Sequence, residues 1–306
     1  MALYDLYAQP PRMDRVMVMC LDGWIDAGNG AGGAMAALRA TTDTELIASF
    51  DNDALIDNRA RRPMVQITDG VLDGVTWPTI EVRAGVDKVG HGILLLTGPE
   101  PDMCWQEFCR DVLRLAADLS VTLTVGLGAF PTAVPHTRPI RLASTSSHRE
   151  LADVIGFMPG TIEVPSGIHA VLEQAMADDD RRAMGVWARV PHYISNWPYP
   201  AASAAILDGL QRVSGIVVDT AELHAAAAVT QARVNSLIGN SEEHTTLLRQ
   251  LEAQYDTEMG AELGTERAGE RGGDRGAPGA GPLPDVLPSG DELAAELERF
   301  LRGETP

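Results

Sequence analysis

The stretch RVMVMCLDGWIDAGNGAGGAMAALRA, residues 15–40, determines the fold that the sequence predicts. Residues 15–21 form an unbroken apolar run, which is typical of a β-strand buried on both faces. Residues 22–30 are polar and rich in glycine, so they predict a loop. Residues 31–40 are mostly Ala and Gly, and they predict a helix that packs closely through small side chains. The repeating unit is therefore strand, loop, helix.

This order continues along most of the chain. Further strands are predicted at 45–50, 91–98, 121–128, 139–145, 161–164 and 183–190. Helices are predicted at 102–119, 166–177 and 198–214. Strands that alternate with helices indicate an α/β fold with a mostly parallel sheet flanked by helices.

Residues 63–83 depart from the alternation of strands and helices. Apolar and polar side chains alternate there around Asp73–Gly74, and an Asp-Gly pair is a strong signal for a tight turn. The segment predicts a β-hairpin, or a longer two-stranded arm, inserted into an α/β core domain that spans residues 1–218.

The organisation of the chain changes after the core domain. Residues 219–258 have a helical pattern with a break at Gly239–Asn240, and we interpret them as a helical lid subdomain. Residues 259–288 are rich in Gly, Pro, Ala and charged side chains. Such a composition buries too little apolar surface to fold, so it predicts a disordered linker.

A short amphipathic helix is predicted at 289–303, where Ser289 and Glu292 form a capping box. The apolar side chains on one face of this helix are Leu293, Leu297, Phe300 and Leu301. A tethered helix of this kind can dock in a partner's groove, so these four residues are candidates for partner binding. The alternatives are a helix that folds back onto its own domain, or one that hardly forms.

Charge and composition argue against some classes of partner and some cellular locations. The net charge is −19 and Lys88 is the only lysine, so nucleic acid and anionic membrane surfaces are not expected partners. The sequence has neither a signal-peptide pattern nor an apolar run of about twenty residues. Its three cysteines lack CxxC spacing, which favours a reducing, cytoplasmic location.

The carboxyl ends of parallel strands meet at one edge of a sheet, where ligands bind in such folds. The loop after the first core strand brings Asp22, Gly23, Trp24, Asp26 and Gly28 to this edge. Two carboxylates could serve as acid and base, whereas the simpler interpretation is that they cap the next helix. An aromatic side chain beside two acids also indicates a pocket wall.

The other candidate ligand-binding residues follow later strands. Pro99 and Glu100 come after the strand at 91–98, and His192 comes after the strand at 183–190. His136, Thr137 and Arg138 project from a Pro- and Gly-rich loop, where histidine and arginine could hold an anion. The alternative for that loop is a rigid surface segment whose polar groups satisfy one another.

Residues 28–33 contain a GxGxxG motif, with Asp51 some twenty residues later, which permits a dinucleotide-binding enzyme as a further alternative. Residues 22–27 separate the motif from its strand, however, so tight helix–sheet packing explains the glycines better. Ser166 is predicted to cap a helix. With neither a GxSxG elbow nor a metal-ligand spacing of histidines, we predict no catalytic residue, no metal site and no cofactor.

Five motifs together resemble the proteasome assembly chaperone 2 family in its actinobacterial form. They are MCLDGWIDAG (19–28), LLTGPEPDMCWQEF (95–108), GLGAFPTAVPHTRP (126–139), GFMPGTIEVPSGI (156–168) and WARVPHYI (187–194). The likeness runs from about residue 5 to 258 and includes the tail SGDELAAELERFL (289–301).

The resemblance implies a phosphorylase/hydrolase-like core, an oligomerising hairpin that makes a homotrimer, and a helical C-terminal domain over a ligand pocket. It also implies proteasome-related partners, although the chain ends Gly-Glu-Thr-Pro and lacks the hydrophobic-Tyr-X tail of some relatives. The leading hypothesis is therefore a non-enzymatic assembly or interaction protein. A small-ligand-binding or hydrolase-like protein is the alternative.

Overall fold

The structure, a computed structural model, describes residues 2–269, with side chains described as far as Gly260. The strands of the described part are β1 (Tyr4–Leu6), β2 (Arg15–Asp22), β3 (Asp43–Phe50), β4 (Met64–Thr68), β5 (Val71–Thr76), β6 (Glu81–Val86), β7 (Gly92–Pro99), β8 (Val121–Thr132), β9 (Leu142–Ser146) and β10 (Ala183–Pro191). Its α-helices are α1 (Gly30–Thr41), α2 (Asn52–Leu55), α3 (Trp105–Asp118), α4 (Arg149–Ile155), α5 (Ile168–Asp178), α6 (Pro200–Ser214), α7 (Ala221–Gly239) and α8 (Glu242–Gly269).

A mixed sheet organises the described residues, with the strand order β1-β3-β6-β7-β2-β8-β10-β9. The four central strands, β7, β2, β8 and β10, run parallel. The outer strands pair antiparallel with their neighbours. The predicted α/β fold with helices flanking a sheet is thus confirmed, and its parallel part is the centre of the sheet.

Alternate residues of β2 enter two apolar cores, one on each face of the sheet. Val16 and Val18 pack on the face that α1 and α6 cover. Met17 and Met19 pack on the opposite face, where α3 and α5 contribute buried side chains. This two-sided burial explains why the strand reads as an unbroken apolar run rather than an alternating one.

The hairpin of β4 and β5 forms a separate two-stranded sheet, and its turn corrects the sequence prediction. The turn lies at Asp69–Gly70, which both have positive φ, at 50° and 83°. Asp73 and Gly74 lie inside β5, next to an irregularity of the pairing register. Either Asp-Gly pair suits a tight turn locally, so the strand pairing decides between them. The sequence prediction includes residues 81–83 in the two-stranded arm, but in the structure they belong to β6 of the main sheet.

Three further predictions are wrong at the level of local structure. Residues 161–164 form no strand. Gly167, not Ser166, is the N-cap of α5, and the Ser166 hydroxyl instead donates to the Gly167 carbonyl. Helix α8 continues to Gly269, beyond the predicted end of the helical segment at Glu258. The rest of the predicted linker and the predicted helix at 289–303 lie outside the described residues.

Within residues 2–269, the helices are all too short or too polar to cross a membrane.

Candidate functional site

The carboxyl ends of the central strands share one rim, as the sequence predicts. Asp22 at the end of β2 pairs with Pro99 at the end of β7, and Pro191 of β10 pairs with Thr132 of β8. The loops that leave these strands carry the predicted site residues. The structure divides those residues between two clusters, one beyond β2 and β7 and the other beyond β8 and β10.

The first cluster surrounds Asp22 and Glu100. The Asp22 carbonyl accepts hydrogen bonds from the Glu100 backbone N–H (2.7 Å) and from Arg61 Nη1 (3.1 Å). Glu100 Oε1 accepts from the backbone N–H of Ile168 (2.5 Å), so this carboxylate caps α5 from a distant part of the chain. Arg61 is not among the site residues that the sequence predicts, because it does not follow one of the central strands whose carboxyl ends form the rim.

Gly23, Trp24 and Pro99 shape the same cluster. A Cβ on Gly23 would lie 2.7 Å from Glu100 Cβ, so only glycine lets the loop pass this close to Glu100. The Trp24 ring lies beside Gly167 and is 48 % exposed. The ligand role that the sequence assigns to these residues stays a prediction.

Asp26 and Gly28 hold the loop against the start of α1. The Asp26 carboxylate accepts from the backbone N–H groups of Ala31 (2.7 Å) and Gly32 (2.8 Å), which confirms the capping interpretation for Asp26. For Asp22 the hydrogen bonds described above are made by its backbone carbonyl. Burial raises the pKa of Asp26, against the opposing effect of these two hydrogen bonds. Gly28 has φ of 66°, and its carbonyl accepts from the Tyr199 N–H (2.7 Å).

The glycines of the GxGxxG motif serve helix packing. A Cβ on Gly30 would lie 2.9 Å from Ala129 Cβ on β8, and one on Gly33 would collide with Ser203 on α6. Asp51, the proposed ribose ligand, instead caps α2 by accepting from the Asp53 and Ala54 N–H groups. These contacts favour the packing explanation over a dinucleotide site.

His136 is the centre of the second cluster. Its backbone N–H donates to the Tyr193 hydroxyl (2.9 Å), and that hydroxyl can in turn donate to Nδ1 (2.8 Å). The ring proton then lies on Nε2, which donates to Asn235 Oδ1 on α7 (2.8 Å). Burial lowers the pKa of His136, so the neutral ring that this network requires is favoured. His192 packs edge-on against Tyr193, with 5.4 Å between ring centroids.

Thr137 and Arg138 extend these contacts to α8. Arg138 donates from Nε and Nη2 to the two carboxylate oxygens of Asp256, both at 2.8 Å, and from Nη1 to Glu252 (3.2 Å). The Thr137 hydroxyl also donates to Glu252. Arginine paired with two carboxylates is unsuited to hold an anion in this conformation. The loop therefore fastens the C-terminal helix pair, α7 and α8, to the core.

The predicted rim residues thus do not form one catalytic constellation. Neither Asp22 nor Asp26 hydrogen-bonds to His136 or Arg138. In residues 2–269 no three His, Cys, Asp or Glu side chains are placed to hold a metal ion. Besides Tyr193, the partners of His136 and Arg138 lie on α7 and α8, about a hundred residues away in sequence, and no short motif marks them.

The chain belongs to the PAC2 family, whose family model matches residues 20–238. This confirms the resemblance that the five motifs indicate. A comparison with curated proteins gave no match.

Solved structures of actinobacterial proteins share the fold. Rv2714 of Mycobacterium tuberculosis, a protein of unknown function, is 37 % identical, with a TM-score of 0.78 and coverage of 84 % of this chain and 92 % of that one. Rv2125 of the same organism, described as a proteasome-assembly chaperone homologue, is 31 % identical, with a TM-score of 0.71 and coverage of 78 % and 99 %. A PAC2 family protein of Streptomyces avermitilis is 33 % identical, with a TM-score of 0.69 and coverage of 77 % and 100 %.

Proposed function

We propose that the protein is a non-enzymatic, chaperone-like interaction protein that associates with itself through the β4–β5 hairpin. Membership of the PAC2 family and the 31 % identity to a proteasome-assembly chaperone homologue support a chaperone-like role. The rim supports it too, because its polar side chains cap helices and fasten the C-terminal helix pair.

The exposure of the β4–β5 hairpin is the main observation that supports self-association. Every residue of β4 and β5 is exposed. The pairing register places Val65 opposite Val75 and Ile67 opposite Leu72, so these four side chains share one face. Ile67 is 63 % exposed and Leu72 is 70 % exposed. We name these four residues the hairpin apolar face.

An isolated two-stranded hairpin is at best marginally stable in water. Burying a large aliphatic side chain stabilises a protein by about 1.5–3 kcal/mol, so covering the hairpin apolar face gives a substantial driving force for association. Following the family resemblance, we propose that the covering surface belongs to other copies of this chain and that the assembly is a homotrimer.

The proposed external partners are proteasome-related proteins of the cytoplasm. The helix predicted at 289–303 is the proposed recognition element, through Leu293, Leu297, Phe300 and Leu301. The net charge of −19 supports a protein partner over nucleic acid or an anionic membrane.

The partner proposal is tested by affinity capture from native cytosol with two baits, the full chain and a chain that ends at Gly269. We expect the full chain to retain proteasome subunits and the shortened chain to lose them. A matched bait with Leu297→Asp and Phe300→Asp separates the apolar face of the predicted helix from mere chain length. Capture of no proteasome subunit by the full chain would contradict the proposed partner class.

A further inference from the structure

Three glycines of β8 and β10 lie on the face of the sheet that α5 approaches. Val125 and Leu127 of β8, with Val186 and Ala188 of β10, point into the core on the opposite face. The intervening positions, on the α5 side, include Gly126, Gly128 and Gly185. Gly126 and Gly185 are directly paired, so the three glycines leave a shallow depression in the sheet surface.

Trp187 lies across this depression. A Cβ on Gly128 or on Gly185 would collide with its indole ring, so the ring lies flat on the backbone of both strands. Trp187 is only partly buried, and among the described side chains it is not one of those packed into either apolar core. The indole therefore forms a flat aromatic surface rather than a core contact.

A hydrogen-bonded chain runs from the indole to a carboxyl group on α5. Trp187 Nε1 donates to Thr145 Oγ1 (3.3 Å), and that hydroxyl donates to Glu173 Oε2 (2.7 Å). Glu173 Oε1 has no hydrogen-bond partner among the described residues. Burial raises the pKa of Glu173 to about 7, so above neutral pH this oxygen is a charged acceptor that gains from meeting a donor.

His169 presents the complementary group one helical turn away on α5. Its Nε2 accepts the backbone N–H of Leu21 (2.9 Å), which places the ring proton on Nδ1. Burial lowers the pKa of His169 to about 4, so the ring is neutral at physiological pH. Nδ1 lies 3.6 Å from the position of a Cβ on Gly126, and no hydrogen bond from it is described.

We propose that the surface formed by Trp187, His169 and Glu173 over the three glycines binds a planar heteroaromatic molecule. Such a ligand stacks on the indole, accepts a hydrogen bond from His169 Nδ1 and donates one to Glu173 Oε1. Gly128 and Gly185 seat the indole flat against the sheet, so the planar ring stacks on the outer face of this partly buried side chain. This site is separate from the rim clusters and from the hairpin, so its failure would leave the proposed self-association untouched.

The test uses 2-aminobenzimidazole, a planar bicycle with an acceptor ring nitrogen and a donor amine. It is titrated into the full-length protein by calorimetry at pH 8, where Glu173 is ionised. We expect saturable one-site binding, weakened about tenfold or more by Trp187→Leu and by Glu173→Met. The matched control Trp197→Leu, which changes a surface tryptophan elsewhere, should alter the affinity by no more than about twofold.

Two results of this titration would overturn the proposed binding site. No saturation of the wild-type protein up to about 10 mM probe overturns the proposal, because that excludes even millimolar affinity. Equal affinity of wild type and Glu173→Met assigns any binding to another surface and overturns it too. Glu173→Met provides this test even if Trp187→Leu fails to fold, and circular dichroism of each variant establishes which have folded.

Discussion

His136 Nε2 donates a hydrogen bond to Asn235 Oδ1 across 2.8 Å, which joins the loop after β8 to helix α7. The His136 residue in this bond is only 2 % exposed, whereas Arg138 and its carboxylate partners on α8 are partly exposed. The two connections should therefore respond to different conditions, the first to pH and the second to salt.

We predict that the C-terminal helix pair loosens in acid. The pKa of His136 is lowered by burial, so the folded state disfavours protonation and the associated stability is lost as pH falls below the ordinary histidine pKa, about 6.5. Tyr193, Asn235 and Glu252 face the ring and are the groups that act on it. Amide hydrogen exchange should show protection of α7 falling between pH 7 and pH 5.

The control for this prediction is a histidine that is exposed on the same helix. His224→Asn should keep the full pH dependence of α7 protection, whereas His136→Asn should lower the protection at pH 7 and flatten its pH dependence. An unchanged pH profile in His136→Asn would show that another group titrates.

Salt should weaken the attachment of α8. Arg138 makes a bidentate pair with Asp256 and a third bond to Glu252, all partly accessible to solvent, so dissolved ions screen them. Arg138→Met should raise the rate of limited proteolysis in α8 at low salt and have little effect at high salt. Arg110→Met, which breaks an exposed pair within α3, should leave that rate unchanged at either salt concentration.

Replacing glycine by alanine should have opposite effects on stability at Gly30, a tightly packed glycine of the GxGxxG motif, and at Gly239, an unpacked glycine at the end of α7. Gly30→Ala places a methyl group against Ala129 and Ala202, and overpacking of this kind costs about 1–3 kcal/mol of unfolding free energy. Gly239→Ala meets nothing within 4 Å and should be neutral or stabilise by up to about 1 kcal/mol. Denaturant unfolding measures both, and a neutral Gly30→Ala would refute the tight packing of α1.

Glu100, rather than Ser166, is predicted to stabilise the start of α5. Glu100→Ala removes the acceptor for the Ile168 N–H and should cost about 0.5–2 kcal/mol, the usual loss for an N-terminal cap. Ser166→Ala should change the unfolding free energy little, because its hydroxyl donates to Gly167 and accepts no helix N–H. A larger loss in Ser166→Ala than in Glu100→Ala would restore the capping role that the sequence predicts for Ser166.

The comparison of Ser166 with Glu100 also shows what the sequence could and could not reveal. Buried strands such as β2 were predictable because their apolar runs are local, and so was the capping by Asp26. The true cap of α5 comes from a residue 68 positions earlier in the chain, which local patterns do not register. The same holds for Arg138, whose partner Asp256 is 118 positions away.

Strand pairing is a second feature that could not be predicted from the sequence. The Asp-Gly pairs at 69–70 and 73–74 look alike in sequence, and only the pairing of β4 with β5 selects the first as the turn. The antiparallel outer strands β3 and β6 likewise follow from their partners in the sheet. Residues 161–164 have the composition of a strand but no neighbouring strand to pair with in the described chain.

The central claim, self-association through the hairpin apolar face, is tested most directly by sedimentation equilibrium. We predict that the wild-type protein has three times the mass of one chain and that the double variant Ile67→Asp, Leu72→Asp has the mass of one. Val229→Asp, at a position on α7 that is 72 % exposed, should sediment as the wild type does. A monomeric wild type, or a double variant that keeps the full assembly, would contradict the account.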